Sequence, residues 1–197
     1  MSLHLRRGAW LVLGVLSVLL SACSTPAVDP SRRAGYEKER TRLAQSVRGV
    51  RLAVSGSYSG DKYTGNVCEH VVAARKIETE VNAWGVSPVP WAQRRPDDAA
   101  LTYRWTCEFP YTDKSGASAF GSLLTLGALP VFSTYRLKLE VSIDRNGKTL
   151  FKNQYVEQRD VATNLWSPQY VERYLDMADV LIEKFVKELE RDGALEP

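Results

Sequence analysis

Three cysteines and two histidines are the side chains of this 197-residue chain with the most chemistry to offer. Cys68, Glu69 and His70 are adjacent and all three are zinc-ligand types. On a helix, residues i and i+2 do not face each other, so the triplet cannot close round one ion. His70 is the only imidazole after residue 22, and no metal site is expected. It is also the one imidazole base available to a Ser-His-Asp hydrolase, but no nucleophile elbow accompanies it. Asp97 and Asp98 lie in a proline-rich stretch and read as turn residues, not as a general acid–base pair. Gly116, Gly121 and Gly127 match no phosphate-cradling fingerprint. The expectation is a chain that is not an enzyme and holds no cofactor, with a periplasmic hydrolase using His70 as one alternative.

The first residues explain the remaining cysteine. His4, Arg6 and Arg7 make a short basic start, and Gly8 to Leu20 carry no charge. That run is shorter than the roughly 20 apolar residues a membrane-spanning helix needs. It fits the apolar region of a secretory signal peptide. The segment ends Leu20-Ser21-Ala22-Cys23, which resembles the lipobox of bacterial lipoproteins. The resemblance implies that residues 1–22 are a lipoprotein signal peptide. It implies a diacylglyceryl group on the Cys23 thiol and an acyl chain, palmitate in type, on its freed amino group. Stable anchoring takes about two lipid signals, so three chains hold such a protein firmly to a membrane. Ser24, not Asp, follows Cys23. In Gram-negative lipoproteins this implies the outer membrane, with the protein facing the periplasm.

Without Arg6 and Arg7 the formal charge falls from +3 to +1, which excludes little. Residues 24–60 carry seven Lys/Arg against three Asp/Glu, and residues 168–197 carry four against eight. Both read as solvated faces. The basic stretch lacks interleaved aromatics, and no nucleic-acid partner is expected.

In an exported chain two remaining cysteines pair by default. Cys107 lies on the apolar side of a predicted strand, and Cys68 in the first turn of a predicted helix. A bond between them closes a loop of 40 residues, about 4 kcal/mol in the chain-entropy model. A reactive Cys68 thiol at a helix N-terminus, or two unpaired buried thiols, are the alternatives.

Ser115 to Tyr135 is uncharged and disperses Phe120, Leu123, Leu124, Leu126, Leu129, Val131 and Phe132 among Gly, Ser and Thr. A loop this long needs a reason. It covers the core, or meets a protein partner, or enters the membrane interface. This stretch, with the strand through Val141, resembles a pattern in small uncharacterised proteobacterial outer-membrane lipoproteins. The resemblance brings no activity with it.

The elements that position these residues follow from periodicity. Ser31 to Ser46 reads as a charged tether helix, and Val50 to Val54 as a short strand. Gly56 to Gly65 reads as a polar loop. Val67, Val71, Ala74, Ile77, Val81 and Trp84 recur at helical spacing, with Gly85 as the stop. Val86 to Asp98 reads as loop. Leu101 to Phe109 and Tyr135 to Ile143 alternate cleanly between apolar and polar residues, as strands with one wet face do. Asn146-Gly147 suits a type I′ turn. The return strand, Lys148 to Gln158, alternates poorly, as an edge or bulged strand does; a plain two-residue turn places Lys152 opposite Val141. Ser167 and Pro168 open a long helix with a stripe from Val171 to Leu189.

The fold class expected is α+β, a two-layer sandwich. A mixed sheet of about four strands carries two long helices on one face, in the order β-α-β-loop-β-β-α. Residues 23–48 are expected to be the lipidated Cys23, spacer and tether, and residues 49–197 a single domain. The strand–helix order is similar in outline to that of α/β lipoproteins in secretion channels. An oligomeric component of an export apparatus is therefore the alternative to an accessory factor.

Overall fold

The computed structural model describes residues 30–60, 68–69, 77–111, 131–163 and 170–195. The chain divides into two compact units, Met1–Ala34 and Gly35–Pro197. The fold of the second is α+β. Its elements are α1 (Pro30–Ser46, beginning in the first unit), β1 (Arg51–Gly60), α2 (Ile77–Asn82), β2 (Ser87–Val89), β3 (Ala99–Tyr111), β4 (Val131–Arg145), β5 (Lys148–Thr163) and α3 (Tyr170–Asp192). A single 3₁₀ turn, Trp91–Gln93, lies between β2 and β3.

Among the described residues the sheet has five strands, in the order β2-β1-β3-β4-β5. β1 runs parallel to both neighbours, and β3, β4 and β5 run antiparallel. The fifth strand corrects the loop expected over 86–98. Ser87, Pro88 and Val89 pair with Arg51, Leu52 and Ala53. Proline has no N–H to donate, and an edge strand tolerates that.

β1 also runs six residues further than its hydrophobic pattern, through Ser-Gly-Ser-Tyr-Ser-Gly. Pairing with β3 holds that part extended, Gly56 against Tyr103 and Gly60 against Cys107. β4 begins at Val131, four residues earlier than its alternation suggests, so Val131 and Phe132 open a strand and pair with Thr163 and Ala162.

Alternation decides which face is dry. Leu101, Tyr103, Trp105 and Cys107 of β3, and Tyr135, Leu137, Leu139, Val141 and Ile143 of β4, are buried on one side. From α3, Tyr174, Met177, Ala178, Leu181, Phe185 and Leu189 are buried in the same core cluster. Each large apolar side chain so buried contributes about 1.5–3 kcal/mol. Phe185 sits between Trp84, Phe151 and Tyr155, with ring centroids 5.9, 6.0 and 6.4 Å away. Leu43 of α1 and the following Val47 are buried there too, so the helix read as a tether supplies part of the core.

The β4–β5 hairpin turns at Asn146 and Gly147, both with positive φ (54° and 73°), as a type I′ turn requires. Asp144 pairs with Thr149 but Ile143 pairs with Phe151, which leaves Leu150 as a bulge. The bulge advances the register by one. Lys152 therefore stands opposite Ser142, not Val141, and points to the wet face.

Candidate functional site

Three features of the second unit bear on function: a covalent clasp, a polar sheet face and a long insertion. The clasp joins Cys68 to Cys107, with Cα atoms 5.6 Å apart. It ties the helical turn at Cys68 and Glu69 to the middle of the sheet. Both cysteines are buried.

Tyr103 and α2 reinforce that tie. The Tyr103 hydroxyl donates to Glu78 Oε2 at 2.6 Å. Burial, then the bond to Glu78 and its charge, push the Tyr103 hydroxyl above the ordinary tyrosine range.

The wet face of the sheet holds a shallow groove of about 560 Å³. Cross-strand rows line it. Ser57, Arg104, Glu140 and Gln154 form one row, and Thr102, Ser142 and Lys152 the next. Lys138 Nζ lies 2.7 Å from Glu140 Oε1. That hydrogen bond, with the nearby charges of Lys138, Arg104 and Lys152, holds the Glu140 carboxyl below its usual range. Glu140 is thus an ionised acceptor at neutral pH among cations and hydroxyls. Such a surface offers both hydrogen-bond donors and acceptors to solvent.

At one end of the sheet Asp98 is 1% exposed. It accepts from Arg51 and, at 2.9 Å, from the Arg95 amide. The Arg51 guanidinium and that amide hold its carboxyl at about 2. Asp98 therefore anchors the loop into β3, a role no local pattern in the sequence announces. Trp91 nearby is 46% exposed, with the Arg94 guanidinium 5.6 Å from its ring centroid.

The insertion is defined by its ends. β3 ends at Tyr111, and its antiparallel neighbour β4 begins at Val131. A hairpin connection needs about 2–5 residues. Residues 112–130 are far more than the pairing requires.

The structure brings Cys68 and Cys107 together and sets Val131 and Phe132 at the start of β4. Cys23, His70, Phe120, Leu123, Leu124, Leu126 and Leu129 lie outside the described residues. Among the described residues, no cluster of His, Cys, Asp and Glu stands close enough to hold a metal ion.

No family model and no curated protein matches this chain. Solved structures do. A Helicobacter pylori homologue of neuraminyllactose-binding hemagglutinin is 7% identical over 75% of this chain and 91% of its own, with a TM-score of 0.49. A minor lipoprotein from Acinetobacter baumannii is 15% identical over 73% of this chain and 91% of its own, with a TM-score of 0.36. A lipoprotein from Neisseria meningitidis is 12% identical over 73% of this chain and 99% of its own, with a TM-score of 0.35. Bacterial lipoproteins thus stand among its structural neighbours.

Proposed function

We propose that this chain is an outer-membrane lipoprotein, held by lipid on Cys23 and facing the periplasm. In this reading it is a non-catalytic accessory or assembly factor that docks on another envelope protein. The docking element is the apolar run Phe120 to Phe132. One observation carries the reading: 19 residues, 112–130, join two adjacent antiparallel strands that a tight turn could join. An insertion that is uncharged from Ser115 onward, bears Leu and Phe, and exceeds what pairing needs is what a contact surface requires. The Cys68–Cys107 bond supports the compartment, since such bonds persist where thiols are oxidised.

The test is photo-crosslinking in cells with a probe at Leu126, read by mass spectrometry. One protein adduct is expected, and Leu126→Asp should prevent co-purification of that protein with this one. Lipid adducts alone, or none, would overturn the docking role. Anchoring is tested separately, since Cys23→Ser should abolish processing and membrane association.

A further inference from the structure

We infer that the outer edge of β5 pairs antiparallel with β5 of a second copy, about a two-fold axis at Val156. The two sheets then become one continuous sheet.

The two edges of the sheet are built differently. β2 is three residues long, with Pro88 at its centre and Pro90 just beyond it. Short length and proline are the usual means of blunting an edge. β5 has 16 residues, against a mean strand of about 5–6. It contains no proline, and its one bulge, at Leu150, sits beside the hairpin. From Phe151 to Thr163 it pairs with β4 residue for residue. Among the described residues no strand pairs with its outer side. That side is a long row of backbone donors and acceptors, a template for another strand.

Charge says which strand. Lysine on an edge ordinarily keeps other strands away, but β5 is its own complement. With Val156 opposite Val156, Lys152 of each copy stands opposite Asp160 of the other. Gln154 stands opposite Gln158. These residues lie on the wet face, and Lys152, Gln154, Gln158 and Asp160 are exposed. Among the described residues Lys152 makes no salt bridge within 4.0 Å, although its charge acts on Glu140, while Asp160 accepts one hydrogen bond, from Thr134 at 2.6 Å.

On the helix face the same register sets Arg159 opposite Asn153, which donates to the Glu188 carboxylate. Tyr155 falls opposite Glu157. No like charges meet in this pairing. Antiparallel partners point to the same face, so each copy keeps its wet side wet. Moving the axis to Tyr155 or Glu157 sets Lys152 opposite Gln158 or Ala162 and loses both ion pairs. The pairing is thus specified in register as well as in partner. This edge is formed by residues of β5 and not by residues 112–130, so the two roles are tested by different variants.

The test uses the full lipid-anchored chain in detergent. Val156→Cys should give a disulfide-linked dimer on a non-reducing gel. Gln158→Cys should not, because its copies would lie about 14 Å apart in this register. Lys152→Asp should weaken self-association roughly tenfold or more. Lys152→Asp with Asp160→Lys should restore it. A wild-type chain that stays monomeric at every concentration tested would overturn the inference. So would equal cross-linking at positions 156 and 158, or a double variant as weak as the single one.

Discussion

The Tyr103 ring lies over Gly56 so closely that a Cβ at position 56 would stand 2.1 Å from Tyr103 Cζ. Gly56 and Tyr103 are register partners on β1 and β3, so the ring crosses its own cross-strand neighbour. That path lets its hydroxyl reach Glu78.

Gly56→Ala should therefore displace the ring and cost about 1–3 kcal/mol, the usual range for overpacking. Urea unfolding checks it. In a Tyr103→Ala background the same change should cost almost nothing, because the atoms it meets are gone. Equal costs in the two backgrounds would mean that the ring is not what position 56 answers to.

The Cys68–Cys107 bond should contribute about 2–4 kcal/mol, mainly by restricting the unfolded chain. Cys68→Ser and Cys107→Ser should lower stability alike, and reduction of the wild type should match them. Maleimide should label neither cysteine in the unfolded, unreduced protein. Labelling of both would show that the bond does not form in the cell.

Much of this architecture is legible in the sequence, and the reasons for the rest are physical. The stripe of α3 and the alternation of β3 and β4 are periodic signals, and each element carries enough residues to display its period. Asn146-Gly147 announces its turn because few residues accept positive φ twice in succession. β2 is silent, because three residues with proline at the centre and another just beyond show no period. The Gly56–Gly60 half of β1 is silent because its extension is imposed by β3. The Leu150 bulge is a change of register, which poor alternation hides. Asp98 looks like a turn residue locally, and Arg51, the partner that makes it structural, is 47 residues away. Cys68 and Cys107 were legible as types, whereas their proximity is a property of the fold.

The Arg51–Asp98 pair makes an acid prediction. The Asp98 carboxyl is held at about 2 in the fold, against about 3.9 for a free aspartate. As pH falls below about 4 the unfolded chain takes up a proton that the folded one still refuses, which favours unfolding. The contribution is whole above that value and is lost by about pH 2. Urea midpoints measured down this range should fall more steeply for the wild type than for Asp98→Asn. Parallel curves would show that Asp98 titrates no differently in the folded and unfolded chains.

The opposite end of the pH scale tests Tyr155 and Glu188. The Tyr155 hydroxyl donates to Glu188 Oε2 at 2.8 Å, and Asn153 donates to the same oxygen. Burial first, then the bond to Glu188 and its charge, raise the Tyr155 hydroxyl above its ordinary range. The unfolded chain gives up this proton near pH 10, before the folded chain does. The stability Tyr155 contributes is therefore present below about pH 10 and lost as pH climbs above it. Tyr155→Phe should cost about 1–2 kcal/mol at neutral pH, because it removes one donor from a carboxylate that keeps another. The same variant should flatten the alkaline loss seen in the wild type. A spectrophotometric titration should find one fewer late-ionising tyrosine in Tyr155→Phe than in the wild type. If the two proteins instead titrate with the same number of late tyrosines, Tyr155 is open to solvent and the contact with Glu188 does not hold β5 to α3.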